Sequence, residues 1–291
     1  MSDGMTRVVC LGDIMVDICA QVPGDLAIGS DTPAPIALYG GGSAANTAAW
    51  LVDAGCSATV VGRVGADALG RQALDELARC GVDLAVSVDP DLPTGTCIVL
   101  VGPDGERTMI PSPGANANGG TAPPAYPDTH LHVSGYALFH DAAGPAALAA
   151  LAATRTAGGT VSVDAASAAP LRSYGPARFL DAVAPALLLA NLDEAAVFAG
   201  TRDADSAARL LGLRCGEAIV KQGAAGATWS DGKHVVQVAC EPVAVFDSTG
   251  AGDAFAAGVL AARLSGAGVA QQLQAGHRLA ARAVARPGGR P

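Results

Sequence analysis

The sequence has little positive charge. Its 291 residues contain 18 Lys and Arg against 27 Asp and Glu, which gives a net charge of -9 and an isoelectric point near 4.9. Only two of the basic residues are lysines, Lys221 and Lys233. A surface that follows nucleic-acid phosphates needs clustered Lys and Arg, and the sequence shows no such cluster. The composition therefore argues against nucleic acid as a partner and favours a small polar ligand.

Long hydrophobic runs are also missing. No apolar stretch reaches the roughly 18 residues, free of polar residues, Gly and Pro, that a membrane-spanning helix needs. The first residues show no basic segment followed by an apolar one, which is the pattern of a secretory signal. We therefore expect a cytoplasmic protein with no membrane partner.

Closely paired cysteines are absent too. The seven cysteines are odd in number, widely spread and nowhere spaced as C-x-x-C. The sequence therefore predicts neither a zinc site nor a disulfide framework. We expect most of the cysteines to be small core residues.

What the sequence does contain is a large apolar fraction arranged in alternating strand and helix patterns. Half of its residues are hydrophobic, which is enough for one α/β core. Strands are predicted at Arg7–Gly12, Ala58–Gly62, Leu131–Ser134, Thr160–Asp164, Ala186–Ala190 and Ala218–Lys221, with a hairpin of Ala227–Ser230 and Val235–Val238. Helices are predicted at Ser43–Asp53, Asp67–Cys80, Pro145–Thr156, Ala177–Val183, Glu194–Ala199, Asp253–Leu264 and Val269–Ala285. This alternation predicts a mostly parallel sheet with helices on both faces.

Two segments interrupt the alternation. Residues Ile14–Tyr39 combine loops with short apolar pieces, and Thr94–Val101 and Arg107–Ile110 form a predicted hairpin around Pro103–Gly105. We interpret both segments as parts of one small β-sheet lid that can close over a pocket. The alternative is an extra edge of the main sheet. The predicted division is a core of residues 1–13, 40–93 and 111–291 and a discontinuous lid of residues 14–39 and 94–110.

Residues Asp247–Phe255 read DSTGAGDAF and stand just before a helical pattern. Glycines and small side chains let backbone N–H groups surround an anion at a helix N-terminus, where the macrodipole favours negative charge. A carboxylate beside such a site can take a proton from a hydroxyl that attacks a phosphoryl group, which makes Asp253 a candidate base. The alternative is that Asp253 caps the helix after a glycine turn.

Two other glycine-rich turns open helices. Residues Gly40–Asn46 read GGGSAAN and can present N–H groups and the Asn46 amide to a polar ligand, although glycine before a helix also serves close packing. Residues Val61–Gly70 read VGRVGADALG. They lack the G-x-G spacing that places a pyrophosphate on a helix, so they do not indicate a dinucleotide site.

Polar residues follow two of the predicted strands, at the sheet edge where open α/β folds bind ligands. Asn191 and Glu194 are candidates to hold Mg²⁺ and its waters near phosphates. The alternative is an acidic first helical turn. Lys221 precedes Gly223 and Gly226, and its place at a strand end in a lysine-poor chain favours a phosphate contact over a solvated lysine.

Taken together, these motifs resemble the ribokinase-like (PfkB) carbohydrate kinase family. The resemblance extends from Gly12 to Gly288, with the motifs in the order of the family. Its two most specific motifs are GGSAANTA at Gly41–Ala48 and DSTGAGDAF at Asp247–Phe255, supported by VGRVGADALG, NLDE and KQGAAG. The resemblance implies a three-layer α/β/α core with a small β-sheet lid. It also implies an Mg²⁺-dependent transfer of the γ-phosphoryl of ATP to an alcohol.

The resemblance also implies a role for each matching residue. Asp253 would be the base, and the N–H groups of Gly250, Ala251 and Gly252 would form the anion hole. Hydroxyls of the acceptor would be bound by Asp17, Gly41, Gly42 and Asn46. Asn191 and Glu194 would organise Mg²⁺ and phosphates, Glu194 through water, and the nucleotide would contact Lys221, Gly223 and Gly226. Asp247 lies where many members have a monovalent-cation loop, which suggests K⁺ as an activator.

Three positions depart from the pattern of ribokinases. Met15 and Tyr136 replace an Asn and a Glu that contact ribose, and we interpret both as substrate-binding residues of a more apolar pocket. His277 stands where many members have an Asn beside the adenine, so it is a candidate nucleotide contact.

The predicted function is therefore an ATP-dependent kinase that acts on a hydroxyl of a sugar or a sugar-containing substrate. A nucleoside kinase, of the ribonucleoside or pseudouridine type, is the alternative within the family, and the apolar residues Met15 and Tyr136 tilt the choice slightly toward it. A nucleotide-linked oxidoreductase or a non-catalytic sugar-binding relative is more remote. The apolar residues of Thr96–Val101 and Met109–Ile110 are candidates for a homodimer face or for the inner face of the lid.

Overall fold

The computed structural model describes residues 7–103, 107–121, 128–183 and 186–291. The strands are β1 (Arg7–Leu11), β2 (Met15–Gln21), β3 (Ile36–Gly41), β4 (Ser57–Gly65), β5 (Asp83–Asp89), β6 (Gly95–Val101), β7 (Arg107–Ser112), β8 (Thr129–Ser134), β9 (Thr160–Asp164), β10 (Ala186–Asn191), β11 (Gly216–Lys221), β12 (Ala227–Ser230) and β13 (Val235–Val238). The helices are α1 (Ser43–Asp53), α2 (Ala68–Arg79), α3 (Ala143–Thr156), α4 (Ala168–Tyr174), α5 (Pro176–Val183), α6 (Leu192–Ala199), α7 (Ala204–Cys215), α8 (Ala251–Leu264) and α9 (Val269–Val284).

Nine strands form one sheet in the order β13-β12-β11-β10-β9-β8-β1-β4-β5. The pairings from β11 to β5 are all parallel, and β12 and β13 add an antiparallel hairpin at one edge. Parallel strands need crossover connections, and helices supply them here. The predicted mostly parallel sheet is confirmed.

Helices cover both faces of this sheet. Along β1, the side chains of Val8 and Cys10 join the core under α1, α2, α8 and α9, while those of Val9 and Leu11 join the core under α3 to α7. Successive side chains of a strand point to opposite faces, so a strand buried on both sides must be apolar throughout. The three-layer α/β/α architecture predicted from the sequence is confirmed.

A separate sheet of four strands, in the order β3-β2-β6-β7, corresponds to the predicted lid. Strands β2 and β6 run parallel, and β3 and β7 pair antiparallel at the two edges. The two interrupting segments therefore form one sheet of their own and not an extra edge of the main sheet. Part of the predicted turn around Pro103–Gly105 lies outside the described residues, and the exact division into core and lid stays a proposal.

The two faces of the lid sheet differ in character. Cys19, Cys97 and Val99 are buried on the inner face. On the outer face, Leu38, Ile18, Ile98 and Ile110 stand opposite one another in one row across the four strands, and all but Ile18 are more than 40% exposed. The lid therefore has an apolar interior and an uncovered apolar row outside.

The sequence predictions about cysteines and membranes can be compared with the structure. All seven cysteines are free, and Cys10, Cys19, Cys97 and Cys215 are buried. Within the described ranges, no helix combines the length and the hydrophobicity needed to cross a bilayer. The predicted cytoplasmic location stays a prediction.

Candidate active site

Asp253 lies in the first turn of α8, but its side chain does not cap that helix. The helix starts after Gly250, whose backbone is left-handed with φ 72, a conformation that favours glycine. The Asp253 carboxylate accepts hydrogen bonds from α1 instead, from Ser43 Oγ at 2.8 Å and from Asn46 Nδ2 at 2.9 Å. The capping alternative is therefore wrong, and the carboxylate faces the groove between α1 and α8.

The start of α1 is shaped to present these two donors. Gly42 precedes the helix with φ 95, and a Cβ on it would lie 2.4 Å from the Asp13 carbonyl oxygen, so only glycine fits. The Asp13 carboxylate accepts from the Ser43 N–H at 2.9 Å. Ser43 and Asn46 are three residues apart and therefore lie on one helix face. The motif predicted to bind a ligand thus also supports Asp253.

The environment of Asp253 suits a base that works near neutral pH. Burial raises the pKa of its carboxyl to about 7. The hydrogen bond from Asn46 lowers this pKa, the carboxylate of Asp164 raises it, and Ser43 and Lys221 lower it. A general base is most effective when its pKa is close to the operating pH.

The N-terminus of α8 offers backbone donors beside this carboxylate. The Ala251 N–H makes a long hydrogen bond of 3.3 Å to the Ser248 carbonyl. Among the described residues, the N–H groups of Gly250 and Gly252 donate to no protein acceptor, which leaves them free for an anion. A Cβ on Gly252 would lie 3.3 Å from Lys221 Nζ, so the lysine ammonium stands next to the same helix end.

Asp17 and Gly41 lie together on the proposed acceptor side. They belong to neighbouring lid strands, and a Cβ on Gly41 would lie 2.3 to 2.5 Å from the Asp17 carboxylate atoms. Asp17 is only 4% exposed. Burial raises the pKa of its carboxyl to about 6, and the nearby Arg290 lowers it in part. Any side chain at position 41 would therefore displace the Asp17 carboxylate.

The two residues that depart from ribokinases are both half-buried and lie in different elements. Met15 begins β2 and packs on the inner cluster of the lid with Tyr39. Tyr136 lies in a short turn after β8, where its hydroxyl bonds to Ser167 and its ring packs edge-on against Phe139. Burial raises the pKa of the Tyr136 hydroxyl, so it stays protonated.

On the opposite side of Asp253, Lys221 forms a buried ion pair. Its Nζ donates to Asp164 Oδ2 at 2.7 Å. Burial alone would lower the pKa of this lysine, but the carboxylates of Asp164 and Glu194 outweigh burial and raise it. Lys221 is therefore a charged group held between two acids and the N-terminus of α8.

Asn191 and Glu194 form a capping box at the start of α6. The Asn191 side chain accepts from the Glu194 N–H at 2.9 Å, and the Glu194 carboxylate accepts from the Asn191 N–H at 2.7 Å. Glu194 is 2% exposed, and burial raises the pKa of its carboxyl to about 7, with Asp164 adding to the rise. The helix-start alternative is thus correct, and it leaves the Glu194 carboxylate facing the Asp164 and Lys221 pair.

The described residues contain no cluster of three or more His, Cys, Asp or Glu side chains arranged to enclose a metal ion. Mg²⁺ at nucleotide sites keeps several waters and is bound through one or two carboxylates and the phosphates. The Glu194 and Asp164 carboxylates already accept from Asn191 and Lys221, which leaves binding through water as the mode open to them, and a magnesium contact of Glu194 stays a prediction.

The other predicted nucleotide contacts have different surroundings. Gly223 lies in an exposed turn after β11. Gly226 is buried, and a Cβ on it would lie 2.2 Å from the Val238 carbonyl oxygen, so its glycine is required by packing. The His277 ring packs on Phe255 with centroids 5.3 Å apart, and burial lowers the pKa of this histidine. Nucleotide contacts of these three residues stay predictions.

The Asp247 carboxylate is surrounded by protein donors. It accepts from the Thr249 N–H at 2.8 Å, the Thr249 hydroxyl at 2.6 Å and the Gly288 N–H at 3.0 Å. The Arg107 guanidinium of the lid lies 3.4 Å from Asp247 Oδ1 and also bonds to Thr249. These donors lower the pKa of Asp247 despite its burial. A K⁺ contact of Asp247 stays a prediction.

Sequence analysis missed several residues at this site. Ser43, Asp164, Arg107 and Arg290 contact the predicted residues directly. Ser43 stands inside a predicted motif and Asp164 ends a predicted strand, so position gave a signal for both. Arg107 and Arg290 are isolated arginines far away along the chain, and only the fold brings them to the site.

The fold and this arrangement are those of an α/β phosphotransferase with a β-sheet lid. The family model described as pfkB family carbohydrate kinase matches residues 5–291, nearly the whole chain. The protein therefore belongs to the pfkB family of carbohydrate kinases, and it is a sugar kinase of that family.

Individual relatives support the assignment. A fructokinase of Klebsiella pneumoniae is 32% identical over 88% of this chain and 83% of its own length. The structure of an adenosine kinase from Sinorhizobium meliloti has a TM-score of 0.87 at 25% identity and covers 99% of this chain and 96% of its own. A fructokinase of Vibrio cholerae, solved with fructose, ADP and calcium, has a TM-score of 0.84 at 26% identity, with 99% and 95% covered.

Proposed function

We propose that the protein transfers the γ-phosphoryl group of ATP to a hydroxyl of a small sugar, with Asp253 as the base. The position of Asp253 carries this proposal. Its carboxylate, held by Ser43 and Asn46 and with a pKa raised by burial to about 7, lies beside the free N–H groups at the start of α8. Phosphoryl transfer depends on positioning and charge stabilisation, and this site offers both.

In the proposed transfer, each group of residues has a separate role. Asp253 accepts the proton of the attacking hydroxyl, while the Gly250, Ala251 and Gly252 N–H groups stabilise charge on the transferred phosphoryl. Asp17, Gly41, Gly42 and Asn46 orient the acceptor. Lys221 neutralises phosphate charge from the other side of the same helix end.

ATP and Mg²⁺ are the proposed cofactors. A similar structure from E. coli was solved with ATP and Mg²⁺. Glu194 would hold the ion through water, next to Asp164, and the ion would neutralise charge on the phosphates. We propose that K⁺, if it binds to the Asp247 loop, is held by backbone carbonyls because the carboxylate is already surrounded by donors.

The acceptor is a sugar in the first proposal and a nucleoside in the second. The fructokinase relatives favour a sugar, and the similarity to an adenosine kinase together with the lid-side residues Met15 and Tyr136 favours a nucleoside. ADP release with fructose, ribose, sugar acids and nucleosides, with Mg²⁺ and with or without K⁺, separates them. Activity with nucleosides alone would overturn the first proposal, and an inert panel would overturn both.

Asp253→Asn tests the mechanism. We expect this variant to fold and to bind ATP while turnover falls by about 10² or more, because no base remains. Asp203→Asn is the matched control, since Asp203 caps α7 and Asn caps equally well. Near wild-type turnover of Asp253→Asn would remove Asp253 from the mechanism.

We also propose that the lids of two copies pair through the outer row of Leu38, Ile18, Ile98 and Ile110. Three of these side chains are more than 40% exposed, and such apolar rows are costly to leave in water.

A further inference from the structure

Arg290 is a buried arginine to which the reaction described so far gives no role. It follows α9 near the end of the sequence and is only 6% exposed. Its Nη2 donates to the Gly41 carbonyl at 2.8 Å, its Nε donates to Asn46 Oδ1 at 3.2 Å, and its Nη1 lies 3.3 Å from Glu76 Oε1. The guanidinium therefore contacts Gly41 and Asn46, two of the residues proposed to bind the acceptor.

The contact with Asn46 determines which way its amide points. Asn46 Oδ1 accepts from Arg290, and Asn46 Nδ2 donates to Asp253 Oδ2 at 2.9 Å. The two ends of an amide have nearly the same shape but opposite hydrogen-bonding character. A turned amide would place its oxygen against the Asp253 carboxylate and its NH₂ group against the guanidinium. Arg290 therefore favours the one orientation that supports Asp253.

Packing around the guanidinium is close on several sides. A Cβ on Gly40 would lie 2.1 Å from Arg290 Nη1, and a Cβ on Gly289 would lie 2.5 Å from Asn46 Nδ2. The Trp50 Nε1 donates to the Gly289 carbonyl at 2.9 Å, which fixes the segment against α1. Two glycines and one indole thus hold the arginine behind Asn46.

We propose that Arg290 is a positioning residue for the phosphoryl transfer, acting through Asn46 to hold the amide that stabilises the ionised Asp253. The inference rests on the proposed function, because it takes Asp253 as the base. Arg290 does not touch the reacting atoms in this proposal.

The electrostatics of Asp253 give the proposal a measurable consequence. Burial raises the pKa of its carboxyl to about 7 and Asn46 lowers it; of the other groups around it, Asp164 raises it while Ser43 and Lys221 lower it. The buried Cys10 thiol, whose own pKa is raised by burial, also lies near this carboxylate. Without Arg290 the amide can turn, its lowering effect is lost, and the pKa of Asp253 rises further. Arg290 also lowers the pKa of Asp17, so Asn46→Ala, which leaves Arg290 in place, and carboxyl ¹³C NMR of Asp253 separate the two acids.

The test is the pH dependence of kcat/KM between pH 5.5 and 9 for Arg290→Met, Asn46→Ala and the double variant, with fructose or whichever acceptor of the panel is active. We expect the acidic limb of Arg290→Met to move up by about one pH unit, so that the loss is about tenfold larger at pH 6 than at pH 8.5. In carboxyl ¹³C NMR of Asp253, the double variant should show the midpoint shift of Asn46→Ala and no more, because both changes remove one interaction.

If Arg290 only stabilised the fold, the pH profiles of its variants would differ from those expected above. A loss that is equal at all pH values, or shifts that add in the double variant, would overturn the proposal. Arg263→Met is the control, since it breaks another partly buried ion pair, with Glu217 on β11, and should leave the limb in place. Arg290→Lys is a milder variant that keeps the charge but lacks the planar fork for two acceptors. If Arg290→Met does not fold, a limb of Asn46→Ala at the wild-type pH overturns the proposal, because the Asn46 amide would then not lower the pKa of Asp253.

Failure of the proposed function is recognised separately. If the wild type phosphorylates no acceptor, the kinase proposal fails while the positioning can still be measured. Carboxyl ¹³C NMR of Asp253 then reports its titration directly, and the midpoint must be higher in Arg290→Met than in the wild type. Equal midpoints would reject the role of Arg290 without any reference to activity.

Discussion

At the scale of single residues, the site depends on glycines as well as on charged and polar side chains, because some positions have no room for a side chain. Gly41→Ala would place a methyl group 2.3 to 2.5 Å from the Asp17 carboxylate and push it aside. We expect KM for the acceptor to rise about tenfold or more with a smaller change in kcat, because hydrogen bonds to a charged group are lost. Steady-state kinetics measure this split.

Gly24→Ala is the matched control for that variant. Gly24 also belongs to the predicted lid, but a Cβ on it would meet no heavy atom within 4 Å. Its KM should stay at the wild-type value. An unchanged KM in Gly41→Ala as well would show that Asp17 does not contact the acceptor.

The residue roles could be predicted only where a local pattern carried them. The glycines and the acid of Asp247–Phe255 predict an anion site, because a glycine turn at the start of a helix can be recognised from neighbouring residues alone. The partners of Asp253 could be predicted only in part. Asn46 belongs to a recognisable motif. Arg290 lies 244 residues further along the chain, and no sequence pattern links two residues over that distance.

At the scale of elements, α6 combines a structural cap with a charge. Glu194→Gln should keep the helix start, because Gln can take the place of Glu in a capping box. The lost charge should raise the Mg²⁺ concentration needed for half-maximal ADP release by about tenfold, in the range seen for outer-shell ligands. Titration of ADP release with Mg²⁺ at fixed ATP measures the shift.

Asp193→Asn provides the comparison on the same helix. Asp193 is 62% exposed in its side chain and pairs with Arg202 at the surface, so its removal should not change the Mg²⁺ requirement. Equal requirements for wild type, Asp193→Asn and Glu194→Gln would exclude Glu194 from the metal site.

The lid gives a second prediction at this scale. Ile98 lies within the outer apolar row, opposite Ile18 and Ile110, and Ile98→Asp should convert the proposed dimer into monomers because a charge cannot be buried unpaired. Light scattering after gel filtration measures the mass. Leu210→Asp changes a similarly exposed leucine on α7, 48% exposed against 44% for Ile98, and should leave the mass unchanged. A wild-type monomer would reject lid pairing.

The elements that sequence analysis did not predict are those with weak local patterns. Strand β5 is an edge strand with three charged or polar residues among seven, DLAVSVD, and only its pairing with β4 makes it a strand. The sequences of helices α4 and α7 resemble those of the neighbouring segments in composition, and α4 spans only seven residues. Strands β9, β12 and β13 were predicted with the right bounds. For β12 and β13 the turn residues Asp231–Lys233 between them are a strong local hairpin signal.

At the scale of the whole molecule, buried ionisable groups act against one another. Burial raises the pKa values of Asp253 and Glu194 to about 7, so ionising them costs stability as the pH rises from about 4 to about 7. Burial lowers the pKa values of His130 and His132 to about 3 and 4, so stability is lost in the opposite direction, as the pH falls below about 6.5. The pH dependence of the wild-type melting temperature therefore combines opposing contributions.

The difference between Asp253→Asn and the wild type isolates one of these groups. The folded wild type keeps a proton on Asp253 up to about pH 7, and the unfolded chain loses it near pH 4, so this carboxyl lowers the stability of the wild type across this range and makes no such contribution in the variant. The melting temperature of the variant relative to the wild type should thus rise by several degrees between pH 4.5 and 7.5, measured without ligands. Any constant effect of the amide cancels in this comparison. For Asp203→Asn the same difference should stay flat, because hydrogen bonds from Ser206 lower the pKa of Asp203 below this range. A flat difference for Asp253→Asn would mean that its carboxyl titrates as in water, and the raised pKa on which its role as a base depends would be wrong.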